Sequence, residues 1–330
     1  MNVLLTADWH LTDKPADSYR FKFLDWLRDY VAEMEVSKII VLGDITEHKD
    51  CHPSSLVNEI VRRIADLTQH CPMDILTGNH DYIDENCPFF KFLQYLPGVN
   101  FITHPTAIPD INSFYIPNRR HWYDAELISE WVARDYDYIF CHQLFTGAVS
   151  FSGKMLIGAS PSNFTSNKTK IYAGDIHNPQ IVGPVEYVGS PYLITFGDAF
   201  EPRVILLDTQ SKNSWSIATP VFLHKKTITI HSIEELEAMR LGVDDLVKLI
   251  VSIPQDETQY WADIRSRIED YFCESKADLH SMELVIETPE QKIGKLGKAP
   301  VKTNQDLYAD YCKQANLPAN IVEVGRELMK

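Results

Sequence analysis

The sequence predicts an α/β fold with a strand-richer second half, followed by a small α+β unit. Three observations predict it. Short apolar runs alternate with amphipathic stretches over the first hundred residues. Short polar motifs close several of those runs, where the ligand sites of such sheets lie. Beyond residue 220, strand and helix patterns alternate again on a smaller scale.

The elements follow in order. Residues 3–6 form a short apolar run and predict the first strand. Phe21, Leu24, Leu27 and Val31 then recur at helical spacing, and residues 38–42 predict the second strand. Leu56, Val57, Ile60, Val61, Ile64 and Leu67 mark a second amphipathic helix, and residues 74–77 a third strand. This order implies a sheet with helical crossovers. Further strands are predicted at 100–102, 113–116, 137–141, 170–173, 185–188 and 204–207, with a helix at 125–134 among them. Residues 153–168, rich in Gly, Ser and Asn, read as a long active-site loop. The second unit starts near residue 221, with strands at 227–230, 246–253 and 282–286 and helices at 233–240 and 258–272. Residues 289–304 contain Pro, Gly and Lys with little apolar periodicity and read as a linker. Helical patterns at 305–315 and 320–329 close the chain. The predicted domains are therefore 1–220, 221–288, a linker 289–304, and C-terminal helices 305–330.

Bulk properties narrow the function. A chain of 330 residues with 45% hydrophobic and 23% charged residues reads as an ordinary globular protein. No apolar run reaches the roughly 18 residues of a membrane span. The N-terminus enters a strand without a basic leader, so a cytoplasmic location is expected. The six cysteines lack C-x-x-C spacing, which argues against a zinc ribbon or disulfide framework and for reduced thiols. The net charge of −15 works against unaided nucleic-acid binding, because Lys and Arg neutralise phosphate. Either the substrate is not a long polyanion, or metals and a basic partner supply the positive field.

Five motifs carry the chemistry: Asp8-Trp9-His10, Gly43-Asp44, Gly78-Asn79-His80-Asp81, His142, and Gly174-Asp175-Ile176-His177. Each follows an apolar run. In an extended segment residues i and i+2 point the same way, so Asp8 and His10 could reach one ion, and Asp175 and His177 repeat that spacing. Asp44, after a glycine at a strand end, is free to bridge two ions. Carboxylate, imidazole and amide oxygen together suit manganese, iron or zinc. Two ions about 3.5–4 Å apart can activate a hydroxide and stabilise a leaving oxygen.

These motifs, in this order, resemble those of the calcineurin-like metallophosphoesterase superfamily: D-x-H, G-D-x-x-D, G-N-H-D/E, a lone H and G-H-x-H. The resemblance is nearest to the SbcD-type nuclease subunits of bacteria and large phages. Tyr187-Val188-Gly189-Ser190-Pro191, followed by Phe196-Gly197-Asp198, is similar to the segment after the last metal histidine there. The motif match covers about residues 1–200, and the rest matches in layout only. The resemblance implies a β-sandwich flanked by helices, with residues 221–288 as a capping domain and the C-terminal helices binding a partner ATPase. It implies that Asp8, His10, Asp44 and His177 hold one divalent metal. Asp44, Asn79, His142 and Asp175 hold the other. His80 donates a proton to the leaving oxygen or steadies the phosphate, and Asp81 orients His80.

Two positions depart from the pattern. The last acid of G-D-x-x-D is Glu47, and G-H-x-H reads Gly174-Asp175-Ile176-His177. The extra carboxylate favours oxygen-loving metals such as manganese, with magnesium, iron or zinc as alternatives, and it leaves open a weakened second site. His48 and His52 flank the second motif as candidate phosphate contacts. Arg119, Arg120 and His121 form a basic cluster read as either solvated surface or a DNA contact. The leading expectation is a manganese-dependent DNA nuclease subunit, a 3′→5′ exonuclease and single-strand endonuclease. It works with an SbcC-like coiled-coil ATPase in DNA repair, recombination or replication, with a possible homodimer. The alternatives are a small-molecule phosphodiesterase or protein phosphatase on the same scaffold, and a non-catalytic scaffold weakened at Asp175.

Overall fold

Each apolar run of the first hundred residues becomes a parallel strand. In the computed structural model these are β1 (Asn2–Thr6), β2 (Lys38–Val41), β3 (Met73–Leu76) and β4 (Val99–Ile102), with α1 (Tyr19–Glu33) and α2 (Ser54–Thr68) as the first two crossovers. The structure describes residues 1–121, 123–150, 152–164 and 168–287. The chain divides into a compact unit, Met1–Ile286, and the segment Glu287–Lys330. The linker and the C-terminal helical patterns expected from the sequence lie outside the described residues.

A second layer is built from β5 (Thr106–Ile108), β6 (Ser113–Ile116), α3 (Ala125–Ala133), β7 (Tyr138–His142), β8 (Lys170–Gly174), β9 (Gln180–Val182) and β10 (Val185–Tyr187). The chain then returns to the first layer with β11 (Arg203–Asp208) and β12 (Asn213–Ala218), both antiparallel to their neighbours. Two six-stranded sheets result, ordered β12-β11-β1-β2-β3-β4 and β5-β6-β7-β8-β10-β9.

Period-two alternation in the strands packs the sheets into a sandwich. Val3, Leu5, Ile40 and Leu76 meet Tyr115, Phe140 and Tyr172 in the core between the sheets. The alternate residues Leu4, Ile39, Val41 and Ile75 face outward onto Phe23, Leu27, Ile60 and Ile64 of the two helices. On the far side, Phe114, Ile139 and Ile171 pack against Ile128 and Trp131 of α3. The inner layer also holds a charge pair. Lys38 Nζ lies 2.9 Å from Asp74 Oδ2, which also accepts a hydrogen bond from Tyr115 Oη at 2.8 Å. This is the mixed α/β sandwich flanked by helices expected above.

The remaining elements are β13 (His224–Ile230), α4 (Ile233–Glu237), β14 (Asp245–Pro254), α5 (Trp261–Glu274) and β15 (Asp278–Glu287). They form a three-stranded sheet, β13-β14-β15, over a core of its own that includes Leu236, Leu249, Val251 and Ile268. The helix expected from residue 258 begins at Trp261, because Gln255–Tyr260 winds as a 3-10 helix. Among the described residues no helix is long and apolar enough to cross a membrane. The C-terminal ends of β1, β2, β3, β7 and β8 carry the five motifs.

Candidate metal centre

The loop after β1 runs beside the loop after β2. Asp8 N–H donates to Gly43 O at 3.1 Å, His10 N–H to Asp44 O at 3.0 Å, and Leu11 N–H to Ile45 O at 2.9 Å. Asp8, His10, Asp44 and Asp175 all have positive φ, at 55°, 45°, 58° and 93°. Non-glycine residues seldom occupy that region, and such strain concentrates at functional sites. This corrects the expected extended i, i+2 geometry: left-handed turns, not a pleat, bring Asp8 towards His10. Gly78 is required by close approach, since a Cβ there would strike the Asp44 carboxylate and backbone.

The structure brings all seven expected ligands together. Around His10, its Nε2 lies 3.1 Å from His177 Nε2 and 3.5 Å from Asp44 Oδ2. Ligand atoms of Asp8, His10 and His177 lie within 4.8 Å of one another. Around His142, its Nε2 lies 2.8 Å from Asn79 Oδ1, 3.6 Å from Asp44 Oδ1 and 3.7 Å from Asp175 Oδ1. Asp44 thus reaches both clusters, with Oδ2 towards His10 and the Asn79 amide and Oδ1 towards His142, as a bridging ligand would. His142 Nδ1 lies 2.6 Å from Leu42 O. A carbonyl only accepts, so Nδ1 carries a hydrogen, and Nε2 is the nitrogen that faces the centre.

Three observations test whether these residues fit a cation. Asp8 Oδ2 is buried without a hydrogen-bond partner. Asn79 Oδ1 faces acceptors alone: Asp44 Oδ2 at 3.1 Å, Asp175 Oδ1 at 3.2 Å and His142 Nε2 at 2.8 Å. Turning the amide over would let its NH2 donate to all three, but an incoming cation satisfies the same acceptors as they stand. The Nε2 atoms of His10 and His177 point at each other 3.1 Å apart, and either a shared proton or a cation would satisfy both. Buried acceptors aimed at a common space cost free energy unless positive charge enters it. The residues fit, and the oxygen and nitrogen donor set suits divalent metals of the expected kind.

The electrostatics agree. Burial drives the Asp8 carboxyl up and the nearby Asp44 charge adds to this, against the pull of His142. Burial also acts to raise Asp44, but His142, His10 and His80 outweigh it and hold Asp44 below the usual range. Burial and the charge on His10 push His177 down to about 4, leaving its nitrogen available as a ligand. Glu47 Oε2 lies 3.0 Å from His10 Nδ1, in an ion pair whose line is off that of a good hydrogen bond. The His10 imidazole holds Glu47 down at about 2. The departure at the end of the second motif therefore supplies a carboxylate behind a ligand histidine, a common way to orient one. The irregularity of Glu47 is visible in the sequence, but its role is not.

The remaining candidates divide. His80 is half-buried, with Nδ1 2.7 Å from Glu47 O, and its ligand atom lies within 4.8 Å of those of His10 and Asp44. The expectation that Asp81 orients His80 is corrected. Asp81 accepts backbone N–H groups from Asp44 at 2.9 Å, Ile45 at 2.9 Å and Gly78 at 2.7 Å, tying the second motif to the third. The Glu47 carbonyl orients His80 instead. His52 is also corrected as a phosphate contact. Its ring packs 4.5 Å from Phe89 and 5.1 Å from Phe90 with both nitrogens shut off from solvent, and burial pushes its pKa down. His48 stays exposed at the surface. Arg119 and Arg120 line a cleft of about 320 Å³ that also includes Asn79 and Asp175. Lys49, Tyr82, Asn118 and Gln143 line it too, and no motif marked them.

A two-sheet sandwich with Asp, Asn and His converging at its strand ends defines the class of metallophosphoesterases. The family model described as Calcineurin-like phosphoesterase matches residues 1–179, and the chain belongs to that family. It is 24% identical over 243 residues to "Exonuclease subunit 1" of Enterobacteria phage T4, covering 68% of this chain and 70% of that protein. It is 25% identical over 186 residues to "Putative phosphoesterase 244L" of Invertebrate iridescent virus 6. That match covers 52% of this chain and 64% of the relative, less than two thirds of its length.

Proposed function

We propose that the chain is the nuclease subunit of a DNA-processing complex, hydrolysing phosphodiester bonds as a 3′→5′ exonuclease and a single-strand endonuclease. The observation that carries the reading is the division of Asp44 between two ligand clusters, one around His10 and one around His142. Similarity to a protein named as an exonuclease subunit supports DNA as the substrate. An SbcC-like coiled-coil ATPase is the proposed partner and would supply the positive surface that a chain of net charge −15 lacks. Residues 221–288 are proposed as the capping domain and 305–330 as the helices that bind the ATPase, with a homodimer and a cytoplasmic location.

Asp8, His10, Asp44 and His177 would hold one divalent ion, and Asp44, Asn79, His142 and Asp175 the other, with manganese favoured by the additional carboxylate at Asp175. When bound, the ions supply Lewis-acid charge to the phosphoryl oxygens and make a water acidic enough to attack. The protein's own groups do the rest. Asp81 locks the loops that carry Asp44 and Asn79. His80, acting as the doubly protonated ring, would keep its Nδ1 hydrogen on Glu47 O, hand its Nε2 proton to the leaving oxygen and end as the neutral imidazole.

The test compares labelled DNA with a chromogenic phosphodiester, in manganese, with and without the ATPase. Cleavage of DNA, faster with the partner, is the expected result. Hydrolysis of the chromogenic ester alone would replace this reading with a small-molecule phosphodiesterase.

A further inference from the structure

We infer that the cleft beside Asn79 and Asp175 seats the phosphate of the nucleotide next to the scissile bond, with Lys49 and Arg120 as its cationic holders. The inference rests on the nuclease reading above and names what would select a polynucleotide over a short diester.

The cleft of about 320 Å³ lies at the low end of small-ligand sites, roughly 300–1,000 Å³. Asn79 and Asp175 give it one wall in common with the metal centre, so a strand whose scissile phosphate lies on the ligands can continue into it. Lys49, Arg119 and Arg120 gather three cations there, in a chain whose net charge is −15.

Their pairing separates them. Glu85 takes the Arg119 guanidinium at 2.9 Å and the Arg120 backbone N–H at 3.1 Å. That carboxylate fixes the loop and neutralises Arg119. It leaves the Arg120 guanidinium exposed, with Nη2 donating to Ile83 O at 3.1 Å and other N–H donors to spare. Lys49 is also exposed, and its Nζ stands 6.0 Å from the centre of the Tyr82 ring. Among the described residues, neither Lys49 nor the Arg120 side chain is within ion-pair distance of a carboxylate. Tyr82 is held in turn, donating from Oη to Asn118 Oδ1 at 2.7 Å, and Asn118 Nδ2 donates to His142 O at 3.2 Å. The wall beneath Lys49 is thereby tied to the strand that carries a metal-ligand histidine. A phosphodiester oxygen is the acceptor these unspent donors match.

The double variant Lys49→Ala/Arg120→Ala removes exposed side chains only. The full chain and the variant are compared in manganese on a fluorescent single-stranded oligonucleotide and on bis-(p-nitrophenyl) phosphate, which has no flanking phosphate. The ratio of kcat/KM for the oligonucleotide to that for the ester should fall at least about tenfold, through KM. The dependence of oligonucleotide KM on salt should flatten by about 0.7 unit of log–log slope, as expected on losing the neutralisation of one single-strand phosphate. Restoration by Lys49→Arg/Arg120→Lys would support the assignment further. An unchanged ratio and salt slope would overturn it while leaving the nuclease reading intact. A wild-type chain that hydrolyses the ester but no oligonucleotide would overturn both.

Discussion

His80→Ala should lower phosphodiester hydrolysis by about 10²–10⁴-fold while the chain still binds two cations. The ring is fixed at one nitrogen and along one edge. Its Nδ1 donates to the Glu47 carbonyl at 2.7 Å, and it stands edge-on to His10 with centroids 4.7 Å apart. A general acid needs one nitrogen anchored and the other free to carry the transferred proton, and the Glu47 carbonyl supplies the anchor. The ligand atoms of His80, His10 and Asp44 nevertheless lie within 4.8 Å of one another, so the geometry also places His80 where a ligand could stand. Metal content separates the two roles. Loss of turnover with both ions retained supports the proton donor, whereas loss of an ion with the activity makes His80 a ligand.

Asp81→Ala should destabilise the fold by about 3 kcal/mol or more, because it strands three buried backbone N–H groups at roughly 1–3 kcal/mol each before water or relaxation offsets part of the cost. Those groups belong to Asp44, Ile45 and Gly78. The carboxyl is fully buried, and its pKa is pushed up by that burial and by Asp44, while the N–H groups of Gly78 and Ile45 pull it back. Asp81→Asn keeps one carbonyl oxygen as acceptor and should lose less. Denaturant unfolding of the two variants checks this order. If both unfold like the wild type, the three N–H contacts contribute little to stability.

The convergence of the proposed metal ligands was legible because each lies just past an apolar run, and strand ends are where such sheets present ligands. Their local geometry was not. Spacing alone suggested a pleat at Asp8 and His10, but residues with φ of 55° and 45° place them there. A left-handed turn at a non-glycine residue leaves no mark in hydrophobic pattern. The role of Asp81 was hidden because its partners are backbone N–H groups, which any residue supplies. His52 could not be told from a phosphate contact until Phe89 and Phe90 closed around it. In the fold, the central strands were readable from buried β-branched and leucine runs. β12 was missed because Asn213–Ala218 is an edge strand with largely exposed or half-buried residues. β5 and β9 have three residues each, too short to show a period. The residues of the basic cleft come from separate loops, and only the folded chain assembles them.

In the proposed centre one carboxylate, Asp44, joins two cation positions. Titration of the chelator-stripped chain with manganese, followed by calorimetry and by electron paramagnetic resonance, tests it most directly. Two ions per chain with mutually coupled spins are expected, with that coupling lost in Asp44→Asn. A single ion, or two uncoupled ions whose binding Asp44→Asn leaves unaltered, would contradict it.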